Sequence, residues 1–196
     1  MKYIVGIDEA GRGPLAGPVA VAAFAVAGGF DEEFFDGIRD SKQLSEKRRE
    51  EWIAKFKNEK EKGKLNFAVS CSSATTIDRK GIVHAIRKAL RRSLEKLNMH
   101  PKRLKIFLDG SLEAPKIFTD QKTVIRGDEK IPIIAAASIV AKVHRDRKMA
   151  RLAKRYPLYG FDIHVGYGTS AHCKAIKRHG PCGIHRRSFL RKMLAD

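Results

Sequence analysis

The strongest constraint on the fold is an almost uninterrupted apolar run at residues 19–26, Val-Ala-Val-Ala-Ala-Phe-Ala-Val. A strand that is apolar at every position has no face for water, so its sheet needs a covering layer on both sides. Residues 2–8 are a second strand-like segment, and a stretch with three Gly and two Pro separates the two. The sequence therefore predicts two neighbouring strands in a sheet that is covered on both faces.

Helical and strand-like patterns alternate along the rest of the chain, most clearly at 81–97, where apolar side chains recur at helical spacing. Helices are predicted at 45–62, 81–97, 133–155, 170–179 and 188–194. Further strands are predicted at 65–72 and 104–109, and an edge hairpin or a strand with its turn at 116–125. This alternation favours an α/β fold, in which a central mixed β-sheet is flanked by helices and followed by a C-terminal helical segment.

The length of 196 residues is that of one functional domain. We expect a core at 1–155 and a basic loop and helical segment at 156–196 that packs on it. The three cysteines do not suggest a disulfide framework. No secretory signal is evident, and no apolar run approaches the roughly 20 residues of a membrane span. These features predict a cytoplasmic protein that does not enter a membrane.

The net charge of +18 indicates a polyanionic partner. Over half of this excess lies in residues 142–196, where 14 basic residues face three acidic ones. A positive surface attracts phosphate-rich polymers through the release of their counterions. Nucleic acid is the first candidate and an anionic membrane surface the second. A basic protein without a specific partner is the remaining alternative.

Acidic residues follow several of the predicted strands. Asp8 and Glu9 end the first strand, Asp109 ends the strand at 104–109, and Asp128 follows strand-like residues. If these strands are neighbours, their carboxylates converge on one edge of the sheet and repel one another unless a cation compensates them. Oxygen ligands suit Mg²⁺ or Mn²⁺ better than Zn²⁺. Any one of these acids could belong to a solvated turn, but together in a basic chain they favour metal-dependent phosphodiester hydrolysis.

Two further motifs match no known site by spacing. The glycine-rich stretch at 11–18 has the spacing G-x-G-x-x-x-G and no helix after it, so it is neither a dinucleotide fingerprint nor a P-loop. Its glycines on both sides of Arg12 allow a backbone to approach a ligand closely, although a tight strand connection is the alternative. A loose group of His and Cys matches no zinc spacing and is predicted to be ordinary helix and tail residues. Its members are His172, Cys173, His179, Cys182 and His185.

Residues 6–19, Gly-Ile-Asp-Glu-Ala-Gly-Arg-Gly-Pro-Leu-Ala-Gly-Pro-Val, resemble the signature of ribonuclease HII. Further matching segments follow in the expected order, at 40–45, 108–110, 127–128, 135–143, 145–147, 166–169 and 184–186. The resemblance extends from Tyr3 to about Phe189. It implies a ribonuclease H-like fold and an endonuclease that hydrolyses the RNA strand of RNA–DNA hybrids. It also implies nicking of duplex DNA 5′ to embedded ribonucleotides, which leaves a 3′-hydroxyl and a 5′-phosphate.

The resemblance also assigns residues. It places the metal-binding, catalytic acids at Asp8, Glu9, Asp109 and Asp128. It places a substrate-binding loop at Gly11, Arg12 and Gly13, a lysine near the substrate backbone at Lys42, and a junction-sensing tyrosine at Tyr167. The related ribonuclease HIII usually has Lys in place of Arg12 and Glu in place of Asp128, so ribonuclease HII is the better match.

Three more substrate contacts are predicted from the residues themselves. Ser138 and Lys142 lie on the predicted helix at 133–155 and are candidates to face the site, and Arg186 lies in the basic tail as a phosphate contact. One departure concerns the residues before Tyr167, where the family often has Lys-His-Lys-Gly. Here residues 162–166 are Asp-Ile-His-Val-Gly, so two expected positive charges are missing.

Together these observations predict a monomeric enzyme with Mn²⁺ or Mg²⁺ as cofactor. Its substrates would be RNA–DNA hybrids and DNA containing ribonucleotides. Two other classes stay open: a noncatalytic nucleic-acid-binding module, and a ribonuclease H-like enzyme for another substrate, such as a DNA-junction or integration nuclease. Metal-dependent nicking would separate an enzyme from a binding module.

Overall fold

A mixed five-stranded sheet lies at the centre of the structure, a computed structural model that describes residues 2–194, without the side chains of Lys192 and Leu194. The strands are β1 Tyr3–Ala10, β2 Val19–Ala27, β3 Leu65–Ser72, β4 Leu104–Asp109 and β5 Gln121–Val124. Their order is β3-β2-β1-β4-β5. β2 pairs antiparallel with β1 and β3, whereas β1, β4 and β5 are mutually parallel. The predicted mixed sheet is therefore confirmed.

Eight α-helices surround this sheet in the described part of the chain. They are α1 Glu46–Glu61, α2 Ala74–Lys80, α3 Ile82–Leu97, α4 Gly127–Lys130, α5 Pro132–Arg155, α6 Phe161–His164, α7 Ser170–His179 and α8 Arg187–Leu194. Side-chain oxygens of Ser45, Ser73 and Thr169 accept backbone N–H groups at the starts of α1, α2 and α7. Pro132 occupies the first turn of α5, where its missing N–H costs no helical hydrogen bond.

The strand β2, which lies between β1 and β3, is buried along nearly its whole length, and its side chains alternate between two apolar clusters. Val19, Val21 and Ala23 face the cluster that includes α3, whereas Ala22 and Phe24 face the one that includes α1 and α5. This alternation follows from the strand period of two. The apolar run therefore contributes side chains to two cores, one on each face of the sheet, as the sequence predicts.

The backbone of the first part of α5 lies directly against the backbone of β1. A Cβ atom on Gly6 would lie 2.1 Å from the carbonyl oxygen of Ile133, so only glycine fits at this crossing. The small residues 135–137 that follow are buried. This close approach brings Ser138, about one turn further along α5, next to Asp8 near the end of β1.

Some boundaries differ from the sequence prediction. β1 continues to Ala10 because Glu9 and Ala10 pair with the start of β2, so the acids lie within the strand. The predicted edge segment forms a single parallel strand, β5, and no hairpin. Asp128 lies in the one-turn helix α4. The short helices α2 and α6 are not predicted, because seven and four residues carry too little periodicity.

Residues after α5 pack on its second half through a third apolar cluster, which includes Ala16, Met149, Phe161, Ile176 and Leu190. A bridge between Ala16 and His185 joins this segment to the loop after β1. The division at 155 stays a prediction. In the described range, none of the helices combines the length and the apolar character that a membrane span requires.

Candidate active site

Four carboxylates converge on the edge of the sheet where β1 and β4 end. The register pairs Ile7 with Leu108, which sets Asp8 beside Asp109 on adjacent parallel strands. Asp109 Oδ1 accepts the backbone N–H groups of Gly127 (2.7 Å) and Asp128 (3.3 Å). Asp109 thereby holds the start of α4, which carries Asp128 towards the strand ends. Glu9 follows Asp8 on β1, and the charge of Asp109 acts on both of them, so the structure brings together all four predicted acids.

The electrostatics of this cluster favour a bound cation. Burial, reinforced by the charges of Glu9 and Asp109, raises the pKa of Asp8 well above its usual value. Burial also raises the pKa of Glu9, against the opposing effect of Arg12. The pKa of Asp128 is raised to about 6, first by burial and then by Asp109 and Asp40. Carboxylates that repel one another in a buried place are stabilised by positive charge.

The donor chemistry of the site fits a hard divalent cation. The four candidates offer only carboxylate oxygens, the ligand type that Mg²⁺ and Mn²⁺ prefer. Between residues 2 and 194, the structure contains no group of three or more His, Cys, Asp or Glu already arranged to hold an ion. The convergence of carboxylate oxygens at the strand ends, rather than a completed coordination shell, therefore carries the case for a metal.

A buried aspartate that the sequence prediction missed lies behind this cluster. Asp40 Oδ1 accepts hydrogen bonds from Ser138 Oγ (3.2 Å) and Ser41 Oγ (3.4 Å), and its charge contributes to the raised pKa of Asp128. Ser138 Oγ also lies 2.8 Å from Ser41 Oγ. Asp40 stands in the matched segment 40–45, which is the one sequence signal for it. Ser138 is buried and contacts both Asp8 and Asp40, so it supports the acids; its predicted contact with substrate stays a prediction.

Lys42 lies at the open side of the acids. Its Nζ is 3.9 Å from Asp128 Oδ2, and its side chain is 77% exposed. Burial alone would lower the pKa of Lys42, but nearby charges, above all those of Asp40 and Asp128, outweigh it and raise the pKa. Tyr167 makes a smaller contribution of the same sign, which indicates that it borders the same cleft. The exposed Nζ of Lys42 is compatible with a contact to a substrate phosphate, and that contact stays a prediction.

A buried arginine supports the glycine-rich loop. Arg186 is 0% exposed and donates three hydrogen bonds to loop carbonyl oxygens: to Gly11 (2.7 Å), Arg12 (2.9 Å) and Gly17 (3.0 Å). Burial, together with the like charge of Arg145, lowers the pKa of Arg186 to about 9, so it stays charged at neutral pH. The predicted phosphate contact at Arg186 is therefore corrected, because its guanidinium binds the loop from inside and does not reach solvent.

A second buried arginine joins the same loop to the segment before Tyr167. Arg145 donates to the carbonyl oxygens of Pro18 (3.0 Å), Ala16 (3.3 Å) and Val165 (2.9 Å). Its guanidinium carbon lies 5.8 Å from the centre of the Tyr167 ring. Arg145 belongs to a matched segment, but no pattern in the sequence distinguishes this buried arginine from the exposed ones around it.

Backbone contacts complete this assembly. The N–H groups of Leu15 and Ala16 donate to the carbonyl oxygen of Gly166 at 2.8 and 3.3 Å. A Cβ on Gly166 would lie 2.5 Å from the carbonyl oxygen of Ala16, so the two segments touch at backbone distance. The Tyr167 side chain remains 42% exposed. The predicted substrate loop and the predicted junction-sensing tyrosine therefore form one connected surface beside the acids.

Lys142 forms an ion pair within its own helix. Its Nζ lies 2.7 Å from Asp146 Oδ2, and its side chain is only 20% exposed. The pair stands at (i, i+4) spacing on α5. The predicted substrate contact at Lys142 stays a prediction, and it would require this ion pair to open.

Solved structures with the same architecture place this chain among ribonuclease H-like nucleases. The PCNA–RNase HII complex from Archaeoglobus fulgidus matches with a TM-score of 0.75 and 26% identity, covering 94% of this chain and 93% of that one. Ribonuclease H2 from Pyrococcus horikoshii matches with a TM-score of 0.68 and 27% identity, covering 97% and 96%. A structure of Bst-RNase HIII in complex with Mn²⁺ shares the fold at a TM-score of 0.72 and 18% identity, covering 99% and 70%.

Sequence comparison identifies the family. The model of ribonuclease HII matches residues 5–192. A ribonuclease HII from Fusobacterium nucleatum is 45% identical over 197 residues, covering 98% of this chain and 88% of the relative. One from Burkholderia lata is 41% identical over 188 residues, covering 96% and 83%. The chain belongs to the ribonuclease HII family, whose members are metal-dependent hydrolases that cleave RNA in RNA–DNA hybrids. The family, the fold class and the enzyme class predicted from the sequence are confirmed.

Proposed function

We propose that this protein nicks duplex DNA on the 5′ side of embedded ribonucleotides and cleaves RNA–DNA hybrids, leaving a 3′-hydroxyl and a 5′-phosphate. The observation that carries this proposal is the position of four carboxylates beside a glycine-rich loop and an exposed tyrosine in one cleft. Asp8, Glu9, Asp109 and Asp128 would hold two Mg²⁺ or Mn²⁺ ions. Such ions, when bound, supply a nucleophile near neutral pH and stabilise the charge that develops on the phosphate.

The loop at Gly11, Arg12 and Gly13 is proposed to recognise the 2′-hydroxyl of the ribonucleotide, the group that distinguishes RNA from DNA. A Cβ placed on Gly13 would meet no atom within 4 Å, so the backbone there is open to a ligand. Gly11 has φ +89°, a conformation that favours glycine. The exposed Arg12 side chain lies 3.5 Å from Glu9, close enough to the acids to contact the phosphate being cut.

Tyr167 is proposed to pack against the sugar of the nucleotide that neighbours the ribonucleotide. A flat ring against this sugar tolerates deoxyribose and is crowded by a second 2′-hydroxyl, which favours an RNA-to-DNA junction. Lys42 would contact a phosphate from the open side of the cleft. Action as a monomer and a cytoplasmic location stay predictions.

The direct test uses three labelled duplexes: all DNA, DNA with one ribonucleotide, and an RNA–DNA hybrid. Each is incubated with the wild-type protein in Mg²⁺, in Mn²⁺ or in EDTA. We expect one nick 5′ to the single ribonucleotide, multiple cuts in the hybrid and no cut in all-DNA duplex or in EDTA. A polymerase should extend the nick directly. Equal cutting of all three duplexes, or binding without cutting, would reject the proposal.

Replacing Tyr167 by Ala tests the junction. We expect kcat/KM at a single ribonucleotide to fall by about tenfold or more, which corresponds to about 1.4 kcal/mol, because the contact of the ring with the sugar is lost. Cleavage of the all-RNA hybrid should fall less. Tyr167→Phe is the matched control, which keeps the ring and should stay within about threefold of wild type, a difference of less than about 0.7 kcal/mol. If Tyr167→Ala cut both substrates as well as wild type, Tyr167 would have no part in recognition.

A further inference from the structure

Three histidines form a buried cluster directly behind the Tyr167 backbone. The rings of His164 and His172 stack with centroids 4.3 Å apart, and His172 Nε2 lies 3.0 Å from His185 Nε2. All three side chains are buried. None of them is among the acids or the loop residues that the proposed mechanism uses, so the cluster needs its own explanation.

The surrounding hydrogen bonds fix the tautomers of the linked pair. His185 Nδ1 accepts the backbone N–H of Cys182 (2.9 Å), so its proton must be on Nε2. That Nε2–H donates to His172 Nε2, which leaves the proton of His172 on Nδ1. His172 Nδ1–H then donates to the carbonyl oxygen of Tyr167 at 2.8 Å. A directed chain of hydrogen bonds thus runs from Cys182 to Tyr167.

His164 holds the same segment from the other side. Its Nε2 lies 2.6 Å from the carbonyl oxygen of Tyr159 and its Nδ1 accepts the N–H of Gly166 at 3.2 Å. The N–H of Tyr167 donates to the carbonyl oxygen of His164 at 2.9 Å. The carbonyl oxygen of Tyr167 also accepts the N–H of Thr169 at 2.9 Å. Every backbone polar group of Tyr167 is therefore bound within this assembly.

The rings of the pair are neutral at physiological pH. Burial, together with the nearby His172, lowers the pKa of His185 to about 4. Burial lowers the pKa of His172 as well, although its hydrogen bond to Tyr167 opposes this. Because the ring nitrogens that lack a proton already accept hydrogen bonds, protonation would break the chain.

We propose that His172, oriented by His185, is a positioning residue that fixes the Tyr167 ring and thereby sets the preference for a single embedded ribonucleotide. The proposal rests on the recognition role proposed for Tyr167. Its physical basis is that the Tyr167 side chain is 42% exposed, so its backbone must be held for the ring to meet a sugar reproducibly. His172 supplies the side-chain donor to that backbone.

Two substitutions distinguish the contribution of Nδ1 of His172 from that of Nε2. In His172→Asn the amide nitrogen can take the place of Nδ1 and donate to the Tyr167 carbonyl oxygen. In His172→Gln the longer side chain places its amide near Nε2, so it contacts His185 but not Tyr167. Both variants lose the ring and should lose thermal stability to a similar degree. His179→Asn, on the exposed side of the same helix, is the matched control.

The readout is the ratio of kcat/KM at a single ribonucleotide to kcat/KM on an all-RNA hybrid. We expect His172→Gln to lower this ratio by about fivefold to tenfold, and His172→Asn to stay within about twofold of wild type. Equal loss on both substrates in both variants, in step with melting temperature, would mean a purely structural role. If Tyr167→Ala lowers the ratio and His172→Gln does not, the inference about His172 is wrong, whereas the recognition role of Tyr167 stands. If neither lowers it, the recognition role of Tyr167 fails too.

A spectroscopic measurement on the wild-type protein tests the chain without any variant. Long-range nitrogen–proton NMR spectra of ¹⁵N-labelled histidine report which ring nitrogen carries the proton. We expect His172 as the neutral Nδ1–H tautomer and His185 as the neutral Nε2–H tautomer at pH 7. The opposite tautomer at His172 could not donate to Tyr167 and would overturn the proposal.

Discussion

Asp109→Asn is expected to reduce cleavage by about 10³-fold or more, equivalent to about 4 kcal/mol of lost transition-state stabilisation, while the protein stays folded. The reason lies in the two functions of this side chain. Its Oδ1 accepts the N–H groups of Gly127 and Asp128, and an asparagine oxygen can accept both. The charge that a divalent cation requires is lost, whereas the start of α4 keeps its position.

The same substitution should stabilise the metal-free protein. The charge of Asp109 helps to raise the pKa of Asp8, Glu9 and Asp128, which means that it repels them. Removing that repulsion should add about 1 kcal/mol to the free energy of unfolding, seen as an increase of about 2–4 °C in melting temperature in EDTA. The exposed Asp120 provides the control: Asp120→Asn should change neither property.

Cleavage rates and substrate affinity are to be measured together for these variants. An Asp109→Asn protein that binds the hybrid normally but does not cut it would support the proposed site. Wild-type activity of Asp109→Asn would remove this residue from the mechanism. A lower melting temperature in EDTA would show that the charge of Asp109 strengthens its hydrogen bonds to Gly127 and Asp128 by more than the repulsion costs.

Arg186→Lys should be the most damaging conservative change outside the acids. A lysine cannot reproduce three hydrogen bonds to Gly11, Arg12 and Gly17, so loop carbonyls would remain buried without a donor. A buried polar group that is left without its hydrogen bond typically costs about 1–3 kcal/mol. Displacement of the loop by about 1 Å would cost a further 10²-fold in rate.

The neighbouring Arg187 is the matched control. It is exposed, and its backbone N–H donates a hydrogen bond to Asp78 that substitution of the side chain leaves intact. Arg187→Lys should therefore keep melting temperature and activity. Melting curves and kcat/KM on the hybrid distinguish the two positions. Arg186→Lys with normal stability and activity would show that the loop does not depend on this guanidinium.

Much of the fold could be predicted because it depends on patterns that are local in the sequence. The apolar run at 19–26 predicts a doubly buried strand, and β2 is one. The sequence predicts that Asp8 and Asp109 lie together only if their strands are neighbours, and the parallel pairing of β1 and β4 meets that condition. Resemblance to a family then assigned functions to residues that periodicity alone cannot distinguish from turn residues.

The rest could not be predicted because it depends on contacts between distant segments. A sequence scan treats Arg186 as one more positive charge in a basic tail, and only the fold shows that it is buried beneath residues about 170 positions earlier. Asp40 is likewise an ordinary acid until Ser138 and Asp128 come next to it. The histidines matched no metal spacing because their partners are one another and the backbone.

The close docking of the glycine-rich loop on the Tyr167 segment has a consequence for engineering. The surface proposed to read the sugar is assembled from residues 11–18, 165–167 and 184–186, which contact one another through backbone atoms and two internal arginines. In a chimera that takes only one of these segments from a relative, the contacts between that segment and the other two would no longer match. Selectivity for the sugar should therefore be transferable between homologues only when all three segments and Arg145 are exchanged together.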